Sequence, residues 1–363
     1  MTIAPDIDMA ALQAYIDGIA PDAGRIIAME PLGGGTSNPT YMLDTEHLEL
    51  VLRHPPIAHG IKAAHDVSRE YRAMSGLQGT DVPVPRTYGY TDDTSILGAP
   101  FYVMGRVRGM ILADTPPFQG IPDGYAETPE ERRAISLALI DSLAKLHAVD
   151  YEAVGLGSFG RPAGYVERQV KLWTGQWEQW KTRDHPPMDE VLRRLANALP
   201  ETGEFTIVHG DYRLGNTILD ADDPGRMLAI LDWEMATLGD PIADVGYIRA
   251  YWGEAGDDEV RKRSMDLAWV SAAEGFLSRR EMLDEYARRT GRDVSMADYF
   301  EILGRVKLAI FGERGYARNL KAAQAGEGVA DPARMEGWKR CNDQVEVCLA
   351  IADASENPRL RGR

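Results

Sequence analysis

The stretch that decides the fold is Ile207-Val208-His209-Gly210-Asp211-Tyr212-Arg213-Leu214-Gly215-Asn216-Thr217-Ile218-Leu219. β-Branched residues lead into a polar loop with two glycines, and the loop ends in apolar residues, a pattern that predicts strand, tight loop and strand. The loop carries the carboxylate of Asp211 and, five positions later, the amide of Asn216. A second acid, Asp232, follows another apolar run. We therefore expect three oxygen-bearing side chains at strand ends, where they could hold a divalent cation beside a hydroxyl.

This combination of side chains is the one that phosphoryl transfer uses. An aspartate orients the attacking hydroxyl and accepts its proton, while an asparagine and a second aspartate hold Mg²⁺ on the nucleotide. Protein kinases carry H-R-D-x-x-x-x-N and then D-F-G, where this chain has His209-Gly210-Asp211-x-x-x-x-Asn216 and then Asp232-Trp233-Glu234. We interpret Asp211 as the catalytic base and Asn216 and Asp232 as the Mg²⁺ ligands. The alternative is a loop aspartate that only caps backbone donors.

The His-Gly-Asp loop, the run Ile230-Leu231-Asp232-Trp233-Glu234 and Gly239-Asp240-Pro241-x-x-Asp244 resemble the aminoglycoside phosphotransferase family of small-molecule kinases. Within it, the chain is most similar to the branch of kinase-like domains linked to acyl-CoA dehydrogenases. The resemblance implies a bilobal protein-kinase-like α+β fold. A small antiparallel-sheet N-lobe, residues 1–104, would bind nucleotide, and a larger, mainly helical C-lobe, residues 105–363, would carry the catalytic loop and acceptor-binding helices. It also implies that Asp244 supports the catalytic loop without contacting substrate.

A glycine-rich segment, Gly33-Gly34-Gly35-Thr36-Ser37-Asn38, joins two strand-like stretches. Backbone N–H groups and small hydroxyls in such a loop can approach phosphate oxygens. Three glycines are also typical of a simple hairpin turn. Because a basic residue, Arg53, ends the next strand-like stretch, we favour phosphate contact, and we expect the nucleotide to meet Gly34, Gly35, Thr36, Ser37 and Asn38.

The resemblance assigns three further nucleotide-site residues. Arg53 stands where kinases carry the strand lysine that grips the phosphates, and its planar fork suits phosphate oxygens, although Lys62 is a nearby alternative. Glu70, on a predicted helix, would pair with Arg53; otherwise it is a solvated acid matched by a neighbouring arginine. Met104 ends a strand-like stretch and would form the inter-lobe hinge that meets the adenine edge.

Composition narrows the class of protein. The chain has 363 residues, 44% of them hydrophobic and 26% charged, as in soluble globular proteins with room for two lobes. Its net charge of -16 argues against a nucleic-acid partner and is compatible with a cationic substrate. No run approaches the roughly 18 apolar residues of a membrane span, and the start lacks a signal peptide. We expect a cytoplasmic protein without a membrane partner; its oligomeric state is not predicted.

Helical patterns cover residues 165–195, 258–290 and 296–350. The first carries Trp173, Trp177 and Trp180 at helical spacing, which is typical of core packing, although part of it could line an acceptor pocket or form a lid. The later stretches contain several charged residues that could meet the acceptor, and the sequence does not choose among them: Glu274, Arg279, Glu281, Glu285, Arg314 and Arg318.

The functional hypothesis is transfer of the γ-phosphoryl group of ATP, with GTP not excluded, to a hydroxyl of a small molecule in the presence of Mg²⁺. An aminoglycoside acceptor fits the acidic charge, whereas the branch resemblance favours a metabolic hydroxyl compound or a hydroxyacyl group. A different class is a nucleotide-binding pseudokinase that acts as sensor or scaffold. The arginine in place of the strand lysine, Arg53, keeps that class open.

Overall fold

A computed structural model of the protein describes residues 7–32, 38–56, 66–112, 114–115, 118–201, 203–264, 270–326 and 332–362. The N-terminal part contains, in chain order, α1 (Met9–Ile19), β1 (Ile26–Pro31), β2 (Thr40–Thr45), β3 (Glu49–Arg53), α2 (Val67–Leu77), β4 (Thr87–Thr91) and β5 (Phe101–Gly105). The five strands form one sheet in the order β1-β2-β3-β5-β4, and every neighbouring pair is antiparallel.

The sheet separates two apolar layers, and strand alternation decides which residues face the site. On β3, Leu50 and Leu52 are buried under α1, whereas Val51 belongs to the core shared with the rest of the molecule. Because side chains alternate along a strand, Arg53 lies on the same face as Val51. The partner of Arg53 across the β3–β5 pair is Tyr102, so these two polar side chains lie together on the face away from α1.

The remainder of the chain is mainly helical. It contains β6 (Asp114–Thr115), β7 (Phe118–Gln119), α3 (Pro129–Ala148), α4 (Tyr165–Trp180), α5 (Pro186–Asn197), β8 (Thr206–Val208), β9 (Thr217–Leu219), β10 (Met227–Ile230), β11 (Thr237–Gly239), α6 (Ile242–Tyr251), α7 (Glu259–Ser264), α8 (Arg279–Thr290), α9 (Ala297–Gln324) and α10 (Gly337–Ala354). Two short antiparallel pairs, β8 with β11 and β9 with β10, carry the loops of interest. The predicted α+β kinase-like fold is confirmed, while the lobe boundary at residue 104 stays a prediction.

The prediction that the three stretches are continuously helical is wrong, since the described residues of each stretch form two separate α-helices. The break between α4 and α5 has local causes. The backbone N–H of Thr182 donates to the Glu313 carboxylate at 3.1 Å, which draws the chain away from the axis of α4. His185 then caps α5 by accepting from the backbone N–H of Met188 at 3.1 Å. Among the described residues, no helix combines the length and the apolar character needed to cross a membrane.

Close approach of α6 to α9 depends on Gly246. A Cβ atom added there would lie 2.4 Å from the carbonyl carbon of Phe300. We predict that Gly246→Ala destabilises the protein by about 1–3 kcal/mol through overpacking, as measured by urea unfolding. Gly175→Ala is the matched control, because no atom lies within 4 Å of its added Cβ on helix α4. That change should stabilise by about 0.5–1 kcal/mol, and equal effects of the two changes would contradict the packing argument.

Candidate active site

The loop after β8 needs glycine at one position. Gly210 has a φ of 79°, a left-handed conformation that costs side-chain-bearing residues free energy. A Cβ atom there would also lie 2.8 Å from the carbonyl oxygen of Met235. The chain can therefore turn sharply after His209 and bring Asp211 beside the segment that carries Asp232.

The buried carboxylate of Asp244, in the first turn of α6, holds this loop from behind. Its oxygens accept the backbone N–H groups of His209 at 2.7 Å and Gly210 at 2.8 Å, and its Oδ2 lies 3.2 Å from Nε2 of His147. Burial opposes the charged form, but the hydrogen bond from His147 and the adjacent donors lower the pKa of Asp244 below its usual value. The geometry agrees with the supporting role that the resemblance implied.

His209 joins the two loops of the site. Its Nε2 lies 2.9 Å from the carbonyl oxygen of Leu231, and its Nδ1 lies 3.2 Å from the backbone nitrogen of Asp211. A carbonyl only accepts and a backbone N–H only donates, so the ring carries its proton on Nε2. The backbone N–H of Leu231 also donates to the carbonyl of Asn216 at 2.8 Å. Hydrogen bonds to both backbone groups of Leu231 therefore fix the two loops against each other.

Asp211 and Asn216 are in direct contact, as their spacing suggested. The Asn216 amide nitrogen donates to Oδ2 of Asp211 at 2.8 Å and to its backbone carbonyl at 2.9 Å. This engages the nitrogen of the amide and leaves its oxygen as the atom that could bind a cation. Arg213 lies further away, with its Nε 3.9 Å from the Asp211 carboxylate.

Arg53 bridges two acids from different parts of the chain. Its Nη1 lies 2.9 Å from Glu70 and its Nη2 lies 2.9 Å from Asp232. Although burial alone would lower the pKa of Arg53, the charges of Glu70 and Asp232 raise it well above its ordinary value. The side chain of Glu70 is 1% exposed, so the alternative of a solvated surface acid is wrong. Tyr102 and Asn38 also donate to this carboxylate, at 2.9 Å and 2.8 Å.

A group of carboxylates at this point could hold a metal ion. Single oxygen atoms of Glu70, Asp232 and Glu234 all lie within 4.8 Å of one another. An all-oxygen donor set of this kind suits a hard cation such as Mg²⁺. Asp232 adopts a left-handed backbone conformation with φ 67° and ψ 58°, which is uncommon for a residue other than glycine and is often found where a site constrains the backbone.

Some residues expected to contact the nucleotide lie outside the described part of the chain, and the others are described without a nucleotide contact being tested. Gly34, Gly35, Thr36 and Ser37 lie outside the described residues. Asn38 is described, but its amide is buried against Glu70, so its contact with a phosphate stays a prediction. Met104 is buried on β5, on the face of the sheet that meets the main core, and its contact with adenine also stays a prediction.

Sequence reasoning missed Lys307. This residue of α9 is 5% exposed, and its ammonium donates to the carbonyl of Gly210 at 2.6 Å. It also lies 4.1 Å from the centre of the Tyr247 ring. Burial lowers the pKa of Lys307 to about 8, against the opposing charges of nearby carboxylates, Asp211 first among them. The only signal in the sequence was a single lysine in the apolar run Val306-Lys307-Leu308-Ala309-Ile310.

A cavity of about 260 Å³ opens beside the catalytic loop. Lys307 and Gly210 line it together with Arg69 from α2, whose guanidinium donates to the carbonyls of Phe159 at 3.1 Å and Ala236 at 2.6 Å. Of the three expected tryptophans, Trp173 lines this cavity. Two cationic side chains and the residue that precedes Asp211 therefore border one cavity.

The α+β fold and the two loops that carry Asp211 and Asp232 place the protein in the kinase-like class. Comparison with known proteins identifies the family. The chain matches the APH phosphotransferase enzyme family over residues 28–277, and it belongs to that family. A solved structure from Ralstonia eutropha, assigned to the aminoglycoside phosphotransferases, is 30% identical with a TM-score of 0.78, covering 96% of this chain and 99% of that one.

The expected branch is confirmed by curated relatives. Acyl-CoA dehydrogenase family member 11 of Rattus norvegicus is 31% identical over 327 residues, which are 88% of this chain and 41% of that protein. Acyl-CoA dehydrogenase family member 10 of Mus musculus is 38% identical over 243 residues, 66% of this chain and 22% of that protein. The chain therefore spans about two fifths or less of the length of these relatives.

The clamp at Asp244 leads to a stability prediction. In Asp244→Asn, the amide offers one acceptor oxygen to the two backbone N–H groups that the carboxylate now satisfies. One buried N–H should lose its partner, which costs about 1–3 kcal/mol, as measured by urea unfolding. Asp284→Asn is the control, since it removes an exposed pair with Arg280 and should change stability by less than about 1 kcal/mol. Equal effects of the two changes would refute the clamp.

Proposed function

We propose that the protein transfers the γ-phosphoryl group of ATP to a hydroxyl of a small molecule in the presence of Mg²⁺. The observation that carries this proposal is the convergence of Asp211, Asn216 and Asp232 on two loops that His209 ties together. Hydrogen bonds of Leu231, the neighbour of Asp232, to the His209 ring and to the Asn216 carbonyl hold the two loops against each other. Phosphoryl transfer needs a base, an amide oxygen and a metal-binding acid, and these residue types support the proposal. Family membership supports the same chemistry.

Asp211 is the residue that handles the proton. Its carboxylate would orient the acceptor hydroxyl and take its proton as the hydroxyl oxygen bonds to the γ-phosphorus and the bond to ADP breaks. Asn216 keeps this carboxylate in place through the 2.8 Å hydrogen bond. Mg²⁺, held by Asp232 and the oxygen of Asn216, would neutralise charge on the phosphates.

Arg53 suits the phosphates of the nucleotide. It keeps Glu70 on one side and offers Asp232 its other amino group, and among the described residues its Nε has no hydrogen-bond partner. Arg53 would hold a phosphate oxygen of the nucleotide in place of Asp232, and Asp232 would then be available to hold Mg²⁺. The fork of an arginine supports such bidentate contacts.

A second candidate function is a nucleotide-binding sensor or scaffold without turnover. It is favoured by the salt bridge between Arg53 and Asp232, which engages the acid that we assign to Mg²⁺. ADP release from ATP and Mg²⁺ with a panel of hydroxyl compounds, aminoglycosides and hydroxy acids among them, separates the two functions. At least one compound should accelerate ADP release if the protein is a kinase, whereas nucleotide binding that no compound turns into ADP release favours the sensor.

Asp211→Asn tests the assignment of the base. With an acceptor found in that panel, turnover should fall by about 10²–10⁴-fold, since the positioned proton acceptor is removed, while calorimetry should show unchanged nucleotide affinity. Turnover equal to that of the wild type would show that another group takes the proton.

Asp232→Ala tests the metal assignment. We expect it to abolish the Mg²⁺-dependent part of nucleotide binding, because a carboxylate ligand is removed. Calorimetric titrations of ATP with Mg²⁺ and with EDTA measure this difference. Asp222→Ala, an exposed acid on a nearby loop, is the control and should bind like the wild type. A wild-type Mg²⁺ dependence in Asp232→Ala would place the ion elsewhere.

A further inference from the structure

The cavity beside the catalytic loop is placed to receive the acceptor. Gly210, whose carbonyl binds Lys307, precedes the proposed base and lines this space. We infer that Lys307 binds an oxygen anion of the acceptor in this cavity, so that the enzyme selects anionic hydroxyl compounds, such as hydroxy carboxylates, over cationic ones. This inference rests on the proposed function and names the substrate class that the site would take.

The donors of Lys307 support this role. An ammonium has three N–H groups, and one of them meets the carbonyl of Gly210 at 2.6 Å. The Tyr247 ring covers another side at 4.1 Å. No carboxylate of the described residues forms a salt bridge with Lys307, and the ammonium borders the cavity. A donor group therefore remains for a ligand that enters there.

Two of the acids near Lys307 already accept hydrogen bonds from the protein, so they are less available to bind a cationic acceptor. Asp244 accepts the backbone N–H groups of the catalytic loop, and Asp211 accepts the amide of Asn216. Among the described residues that line the cavity, the charged ones are Arg69, Lys307 and Glu234. Two cations and one acid make an unsuitable wall for a polyamine, since like charges repel each other.

Positive charge continues outward from the cavity along α9. Lys307, Phe311, Arg314 and Arg318 follow one another at spacings of four, three and four residues, which places them on one helix face. The guanidinium groups of Arg314 and Arg318 each lie 5.3 Å from the centre of the Trp180 ring. No salt bridge joins either arginine to an acid of the described residues, and like charges four residues apart repel. On a chain with a net charge of -16, this arrangement favours an anionic ligand.

Apolar side chains lie between these charged ends. Phe311 is 39% exposed and Leu172 is 48% exposed, and the rings of Trp173 and Phe311 lie 5.6 Å apart. From Lys307 to Arg318 the helix rises by roughly 17 Å. A long acceptor with an aliphatic body could thus place one oxygen anion near Lys307 and a second anionic group near the two arginines.

Three probes of equal chain length test the inference: a straight-chain hydroxy carboxylate, its neutral methyl ester and the corresponding amino alcohol. Calorimetry in the presence of ADP and Mg²⁺ should rank the carboxylate above the ester and the amino alcohol last. In Lys307→Met, affinity for the carboxylate should fall roughly ten- to hundred-fold, as expected when a hydrogen bond between charged groups is removed, while the ester changes little. Lys307→Arg should restore part of the preference.

The controls separate specificity from folding. Lys339→Met removes an exposed lysine paired with Glu336 and should retain the wild-type ranking. A purely structural role of Lys307 would weaken all three probes equally, and that result would overturn the inference. So would a wild-type preference for the amino alcohol, or no binding of any probe. Charge-selective binding without phosphoryl transfer would instead refute the proposed function and leave the inference intact.

The outer arginines are tested with carboxylates of increasing length that also carry a second anionic group at the far end. Arg314→Gln combined with Arg318→Gln should weaken binding of the long compounds alone, by about tenfold for each arginine replaced. Equal weakening of short and long compounds would show that the outer surface is not continuous with the cavity.

Discussion

The site depends on a carboxylate that substrate does not need to touch. Asp244 is 0% exposed and takes two successive backbone N–H groups of the catalytic loop. A buried charge is tolerated only when donors surround it, and here the loop itself supplies the donors. The loop and the helix that carries Asp244 therefore require each other, which explains how a left-handed glycine and a short polar turn keep one geometry.

A second electrostatic constraint connects the sheet to the mainly helical part. Arg53 ends β3, Glu70 lies on α2 and Asp232 follows β10, and a single guanidinium contacts both acids. Removing one member would leave a buried charge without compensation, which is far more costly than removing a surface pair. Under the proposed function, the same guanidinium would also meet the negative charge of the nucleotide phosphates.

Much of the candidate site could be predicted from the sequence, because Asp211, Asn216 and Asp232 lie beside the ends of short strands. The contact of Asp211 with Asn216 depends on a spacing of five residues, and the resemblance extended the reasoning to Arg53 and Glu70. Lys307 could not be predicted in this way, because 97 residues separate it from Gly210, whose carbonyl it contacts. Only tertiary packing brings the two residues together. The break between α4 and α5 escaped prediction for a similar reason, because the Glu313 carboxylate that accepts the backbone N–H of Thr182 lies 131 residues away in the sequence.

The total charge of the chain does not determine which charges line the cavity. Many acids form salt bridges or helix caps away from the cavity, as Glu131 and Glu281 do in their capping boxes. The charges of Lys307, Arg314 and Arg318 are not neutralised by salt bridges to described residues. Local potential depends on unpaired charge close to the ligand rather than on the sum over the chain. An acidic protein can therefore present a positively charged path to its catalytic loop.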